Sequence, residues 1–178
     1  MNNKIVKLSL SGMFLALCMV LPLLTGQIPQ IGMALGPMHI PVLLCGFICG
    51  WPYGLGVGFI APLLRFALFG MPPVFPMGLS MAFELAVYGL LAGLLYSRLP
   101  KKIPYIYVTL IAAMLCGRLV WGVASYLFFS LAGKQFSFAM FLGGAFTAAV
   151  PGIILHIILI PLIVIAWRAI QPKALGDL

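Results

Sequence analysis

Three ionisable side chains lie inside long apolar runs: Arg65 in GFIAPLLRFALFG (58–70), Glu84 in MAFELAVYGLLAGLLY (81–96), and Arg118 in the run 105–131. A charge at membrane depth is costly, so such residues pair with one another, line a cavity or meet a substrate. Arg65 and Glu84 flank the short proline-rich segment MPPVFP (71–76). Counted from that segment, they fall roughly 7–8 Å and 10 Å along their helices, which predicts that they are neighbours. Arg118 falls roughly 20 Å from the outer end of its run, nearer the midplane and without a carboxylate of its own. Two readings stay open for Arg65 and Glu84, a structural ion pair or a ligand site. Two arginines against one glutamate leave an excess of positive charge, which a bound carboxylate or backbone carbonyls would relieve.

Other polar side chains share faces with these three. Trp121 and Ser125 follow Arg118 at i+3 and i+7, and Ser80 and Tyr88 flank Glu84 at i−4 and i+4. Such polar-aromatic stripes suit a pocket that stacks a ring and satisfies a few hydrogen bonds. His39, in GPMHIP, is either a ligand contact or a helix cap, and His156 is read as an internal hydrogen-bonding residue. Gln27 and Gln30 are candidate lid contacts. Cys45 and Cys49 share a helix face, but all four cysteines (Cys18, Cys45, Cys49 and Cys116) sit in apolar runs and read as small reduced hydrophobes. The sequence has no phosphate-binding G-x-x-x-x-G-K-[ST] loop, no H-E-x-x-H and no G-x-S-x-G. With Glu84 and two histidines as its intramembrane acid–base groups, it is not expected to be an enzyme or to need a metal or cofactor.

The elements that must position these residues are membrane helices. Of 178 residues, 64% are hydrophobic and 7% charged, with a mean hydropathy of +1.22. Soluble domains average about a quarter charged residues, so this chain cannot keep a water-soluble surface. The pattern predicts an all-α six-helix membrane bundle forming a single domain, with spans at about 5–25, 38–50, 53–70, 77–96, 105–131 and 145–168. The run 8–24 is too long for a signal peptide and has no small-x-small cleavage site, so it reads as a retained first span. Lys4, Lys7, Arg98, Lys101, Lys102, Arg168 and Lys173 fall on one side and Lys134 on the other. This predicts cytoplasmic termini and explains the net charge of +8 without a nucleic-acid partner. Segments 26–37, 71–76 and 132–144 would be outer loops, nearly uncharged and rich in Gly, Pro and aromatics, able to fold over a cavity. Gly12 and Ala16, like Gly54 and Gly58, are small-xxx-small pairs that allow close helix packing, internal or with a partner.

The block PMHIPVLLCGFICGWPYGLGVGFIAPLLRFALFGMPP, followed by MAFELAVYGLLAGLLY, resembles the substrate-binding S components of energy-coupling factor (ECF) transporters over about residues 8–168. The resemblance implies six helices and a vitamin-sized ligand near the outer side, under the three outer loops. It also implies a transmembrane scaffold subunit and two cytoplasmic ATPases as partners, in a bacterial-type plasma membrane. The family's alanine-x-x-x-alanine docking motif on the first helix corresponds to Gly12 and Ala16, with glycine replacing the first alanine. The residues expected to hold substrate are Arg65, Glu84, Arg118, His39, Tyr88, Trp121, Ser125 and Gln30. They leave open a carboxylate such as pantothenate or a heteroaromatic of the pyridoxine or pyrimidine type. An autonomous ion-driven transporter and a ligand-free membrane scaffold are the competing classes.

Overall fold

In the computed structural model, residues 3–24 and 34–170 are described. Among them all regular structure is helical: α1 (Asn3–Leu24), α2 (His39–Cys49), α3 (Trp51–Phe69), α4 (Leu79–Arg98), α5 (Ile103–Leu131), the short α6 (Phe138–Leu142) and α7 (Val150–Ile170). An irregular turn, Val74–Gly78, leads into α4, and another, Gly143–Thr147, leads into α7. Gln27 and Gln30 lie outside the described residues. Five segments are long and apolar enough to cross a membrane, and α2 is a shorter apolar helix. Outward stripes at i+4 spacing, Ile111–Leu115–Leu119–Val123 on α5 and Ile154–Ile158–Leu162 on α7, are exposed. In water such stripes would be a liability. In lipid they are the expected outer surface.

Helix α4 is the hub, packing against α2, α3 and α5. Small residues make this possible. Gly46 of α2 and Gly54 of α3 both abut the backbone of Gly89, and an added Cβ at either would lie 2.5 Å from the Gly89 carbonyl oxygen. One turn further along, Gly58 lies against the Leu85 carbonyl. The Gly54/Gly58 pair therefore serves internal packing. Helix α2, nucleated between Gly36 and the Gly50 turn, is buried at every position except Ile48. Cys18 and Cys45 join it to α1, the first thiol donating to the Met38 carbonyl and the second to Ser11 Oγ, each at 3.7 Å.

These contacts fix the helix directions. The start of α1 and the ends of α2, α4 and α7 lie together with the α4–α5 hairpin (99–102). That end carries Lys4, Lys7, Arg98, Lys101, Lys102 and Arg168, while Lys134 lies at the other. The start of α2, the start of α4 and the far half of α5 converge towards the end with little charge.

A carboxylate, an arginine and two histidines

Glu84 sits on the second turn of α4 and is 2% exposed. Three side chains from three helices address one of its oxygens. Arg118 Nη1, from α5, lies 3.2 Å from Oε1. The Tyr88 hydroxyl, one turn along α4, donates to the same oxygen at 3.1 Å. His39 Nε2, from the first turn of α2, stands 3.5 Å away. The Tyr88 ring lies against Gly117 of α5, where a Cβ would collide with it. That close approach brings the next residue, Arg118, level with Glu84.

His39 is held from its other side as well. Its Nδ1 is 3.1 Å from the Gly36 carbonyl oxygen, an obligate acceptor, so Nδ1 carries a hydrogen. Gly36 has φ +53, and a side chain there would be both strained and in collision with the imidazole. The His39 ring is 5.3 Å from Tyr88 and stacks at 5.9 Å and 26° on His156 of α7.

The cluster also has spare hydrogen-bonding capacity. Arg118 Nε and His156 Nε2 are buried with no hydrogen-bond partner among the described residues, and His39 Nε2 has only its 3.5 Å approach to Glu84. Buried polar atoms are normally satisfied, and each exception asks for a partner such as water, an ion or a ligand. The arrangement thus gathers a carboxylate, a guanidinium, a phenol and two imidazoles in one buried cluster with hydrogen-bonding capacity left over.

The structure corrects the expected Arg65–Glu84 pairing. Arg65 is buried, but its Nη1 donates to the Met19 carbonyl of α1 at 3.2 Å, and its guanidinium lies 5.2 Å from the Phe69 ring. The carboxylate of Glu84 instead pairs with Arg118, with the His39 imidazole 3.5 Å away. The expectation that Arg118 lacks a carboxylate is corrected with it. The error has a physical origin. Helix α5 has 29 residues and overhangs α4 at the end away from the 99–102 hairpin, so depth counted from that end misleads. Counted from the shared hairpin at 99–102, Glu84 and Arg118 both lie roughly 21–23 Å along their helices.

Trp121 is directed elsewhere, packing on Phe136 at 5.8 Å and on Phe141 of α6 at 6.2 Å. It anchors segment 134–142 to α5, as the Phe75–Phe128 contact at 6.0 Å anchors segment 70–78. Ser80 Oγ donates to the Pro76 carbonyl at 3.0 Å. His156, read as an internal residue, is a full member of the cluster. Its one sequence signal was a lone polar side chain in the middle of the apolar α7.

Residues 6–164 match the family described as "ECF transporter, substrate-specific component". No curated protein and no solved structure matches the chain. The family match spans the six apolar helices together with every residue of the Glu84 cluster. This integral membrane protein belongs to the substrate-specific components of ECF transporters.

Proposed function

We propose that this chain is the high-affinity substrate-binding subunit of an ATP-driven importer in a bacterial-type plasma membrane, and that its substrate is a neutral nitrogen heteroaromatic, a vitamin or vitamin precursor of the pyridoxine or pyrimidine type. The observation that carries the reading is the Glu84–Arg118–His39–Tyr88 cluster, stacked on His156, with His156 Nε2 and Arg118 Nε unpaired. Glu84 already balances Arg118, so the cluster has no excess charge for a pantothenate-like carboxylate to neutralise. What it offers is ring stacking and several open hydrogen bonds. With the basic end cytoplasmic, as the distribution of Lys and Arg favours, the cluster opens towards the outside. Segments 71–76 and 132–144 then act as its cover.

Native mass spectrometry of the gently purified chain tests this directly. A co-purified nitrogen heteroaromatic without a carboxylate is expected. A bound carboxylic acid would overturn the substrate class, and an empty chain that binds nothing in a vitamin panel would overturn the binding-subunit reading. Uptake should disappear in cells lacking the scaffold and ATPase subunits. Uptake that persists there would favour an autonomous transporter.

Docking to the scaffold involves α1. Gly12 and Ala16 are exposed, and an added Cβ at Gly12 meets nothing within 4 Å. A Gly12→Leu substitution is expected to leave ligand affinity unchanged and to reduce co-purification with the scaffold about tenfold or more. Full retention of the complex would remove α1 from the docking surface.

A further inference from the structure

At the end of the molecule away from Glu84, the α4–α5 hairpin and the last turn of α7 border an open groove with a cavity volume of about 380 Å³. It is lined by Lys101, Lys102 and Arg168 together with Ile103, Ile165 and Ala169. Three cations therefore share one small concavity with three apolar side chains. Glu84, the only acidic residue among those described, is buried in the other half of the bundle.

One of the cations is held in place. Lys101 Nζ donates to the Tyr96 carbonyl at 2.8 Å and sits 3.9 Å from the Tyr96 ring centroid. Partial burial, reinforced by the nearby Arg168 guanidinium, pushes the Lys101 ammonium below the usual lysine range. Like charges drawn together in a partly desolvated groove create a demand for an anion. The groove is bordered by lipid-facing positions, since Ile103 and Ala169 are exposed. Its ligand must then be anionic at one end and apolar beyond it.

We propose that this cavity binds the phosphate headgroup of an anionic phospholipid, with the first carbons of the acyl chains running along Ile103, Ile165 and Ala169. Lys102 and Arg168 contact the phosphate oxygens, and Lys101, fixed on Tyr96, supplies the field behind them. Clusters of lysine and arginine at the membrane surface attract acidic lipids, each cation adding several-fold to the affinity. A phosphodiester headgroup suits a cavity of this size better than a flat surface contact does. The site is independent of the identity of the substrate, because it lies at the opposite end of the bundle.

The test is lipid retention from nanodiscs containing phosphatidylglycerol and phosphatidylcholine in equal amounts with matched chains, read by native mass spectrometry. The wild-type chain is expected to retain phosphatidylglycerol over phosphatidylcholine by about tenfold or more. The triple variant Lys101→Gln/Lys102→Gln/Arg168→Gln should fall to near parity. Lys134→Gln, at the other end of the molecule, should leave the preference intact. Should the triple variant fail to fold, Lys102→Gln alone is expected to reduce the enrichment several-fold. Equal retention of the two lipids by wild type, or undiminished enrichment in the folded variants, overturns the proposal. A parallel arm in neutral detergent distinguishes a free anion from a lipid. If inorganic phosphate alone raises the melting temperature as much as phosphatidylglycerol does, the site is a phosphate site and the lipid assignment fails.

Discussion

Arg65 is buried in the bundle and Arg118 largely so, yet the chain treats their charges differently. Arg118 meets the carboxylate of Glu84 on a neighbouring helix, with Tyr88 and His39 completing the contact. Arg65 meets a main-chain carbonyl and the face of Phe69. The first solution couples three helices to one oxygen and leaves Arg118 Nε unpaired beside further polar atoms. The second uses a backbone carbonyl and one aromatic ring and, among the described residues, adds no other titratable partner. An arginine held by a carbonyl and a ring is a structural cross-link between α1 and α3. An arginine held in a network with spare donors is equipped to meet a ligand.

Breaking the network should have the largest effect. Glu84→Ala leaves the Arg118 guanidinium buried without its counter-charge, and the loss of one partner of a buried pair costs about 3–5 kcal/mol. Thermal unfolding in detergent should show it, and a change of less than about 1 kcal/mol would mean that the pair contributes little. Glu84→Gln/Arg118→Met should recover a large part of that stability, because both charges are gone, while ligand binding stays lost. Recovery of binding as well would make the pair structural, like Arg65.

An intermediate effect is expected from Gly117→Ala, which forces the Tyr88 ring away from α5. Overpacking of this kind costs about 1–3 kcal/mol, and it should weaken ligand affinity by displacing Arg118 from Glu84. Unchanged affinity would show that this close approach does not position Arg118. The smallest effect should come from Arg65→Met. It gives up a charged hydrogen bond worth about 1.5–3 kcal/mol but removes a desolvated charge, so net stability should move by about 1 kcal/mol and affinity should not change. Loss of binding with stability intact would extend the ligand site to Arg65 and erase the contrast between the two arginines.

The same contrast marks what could be read from the sequence. Glu84, His39, Tyr88 and Arg118 stood out as polar residues in apolar runs, and the structure brings those four together. Their partners did not follow from type and spacing, because pairing depends on where helices end relative to one another. The overhang of α5 misplaced Arg118 by about two turns, and Trp121 at i+3 turned towards α6 instead. His156 could not be assigned while the facing side of α7 was unknown. Gly36 and Gly117 carry no chemistry, so no residue-type argument singled them out, although each makes room for a ring of the cluster.

The burial of α2 bears on how the chain is made. At 11 residues it is about 16 Å long, roughly half the thickness of the hydrocarbon core. The insertion machinery therefore meets a segment too short to be released into lipid as a span by itself. It should leave together with α3 as a hairpin across the Gly50 turn and wait for Gly89 to seat it. Nascent chains arrested before α4 emerges should be open to membrane proteases, and those arrested just after it should be protected. The order of synthesis thus makes α4 the checkpoint of assembly.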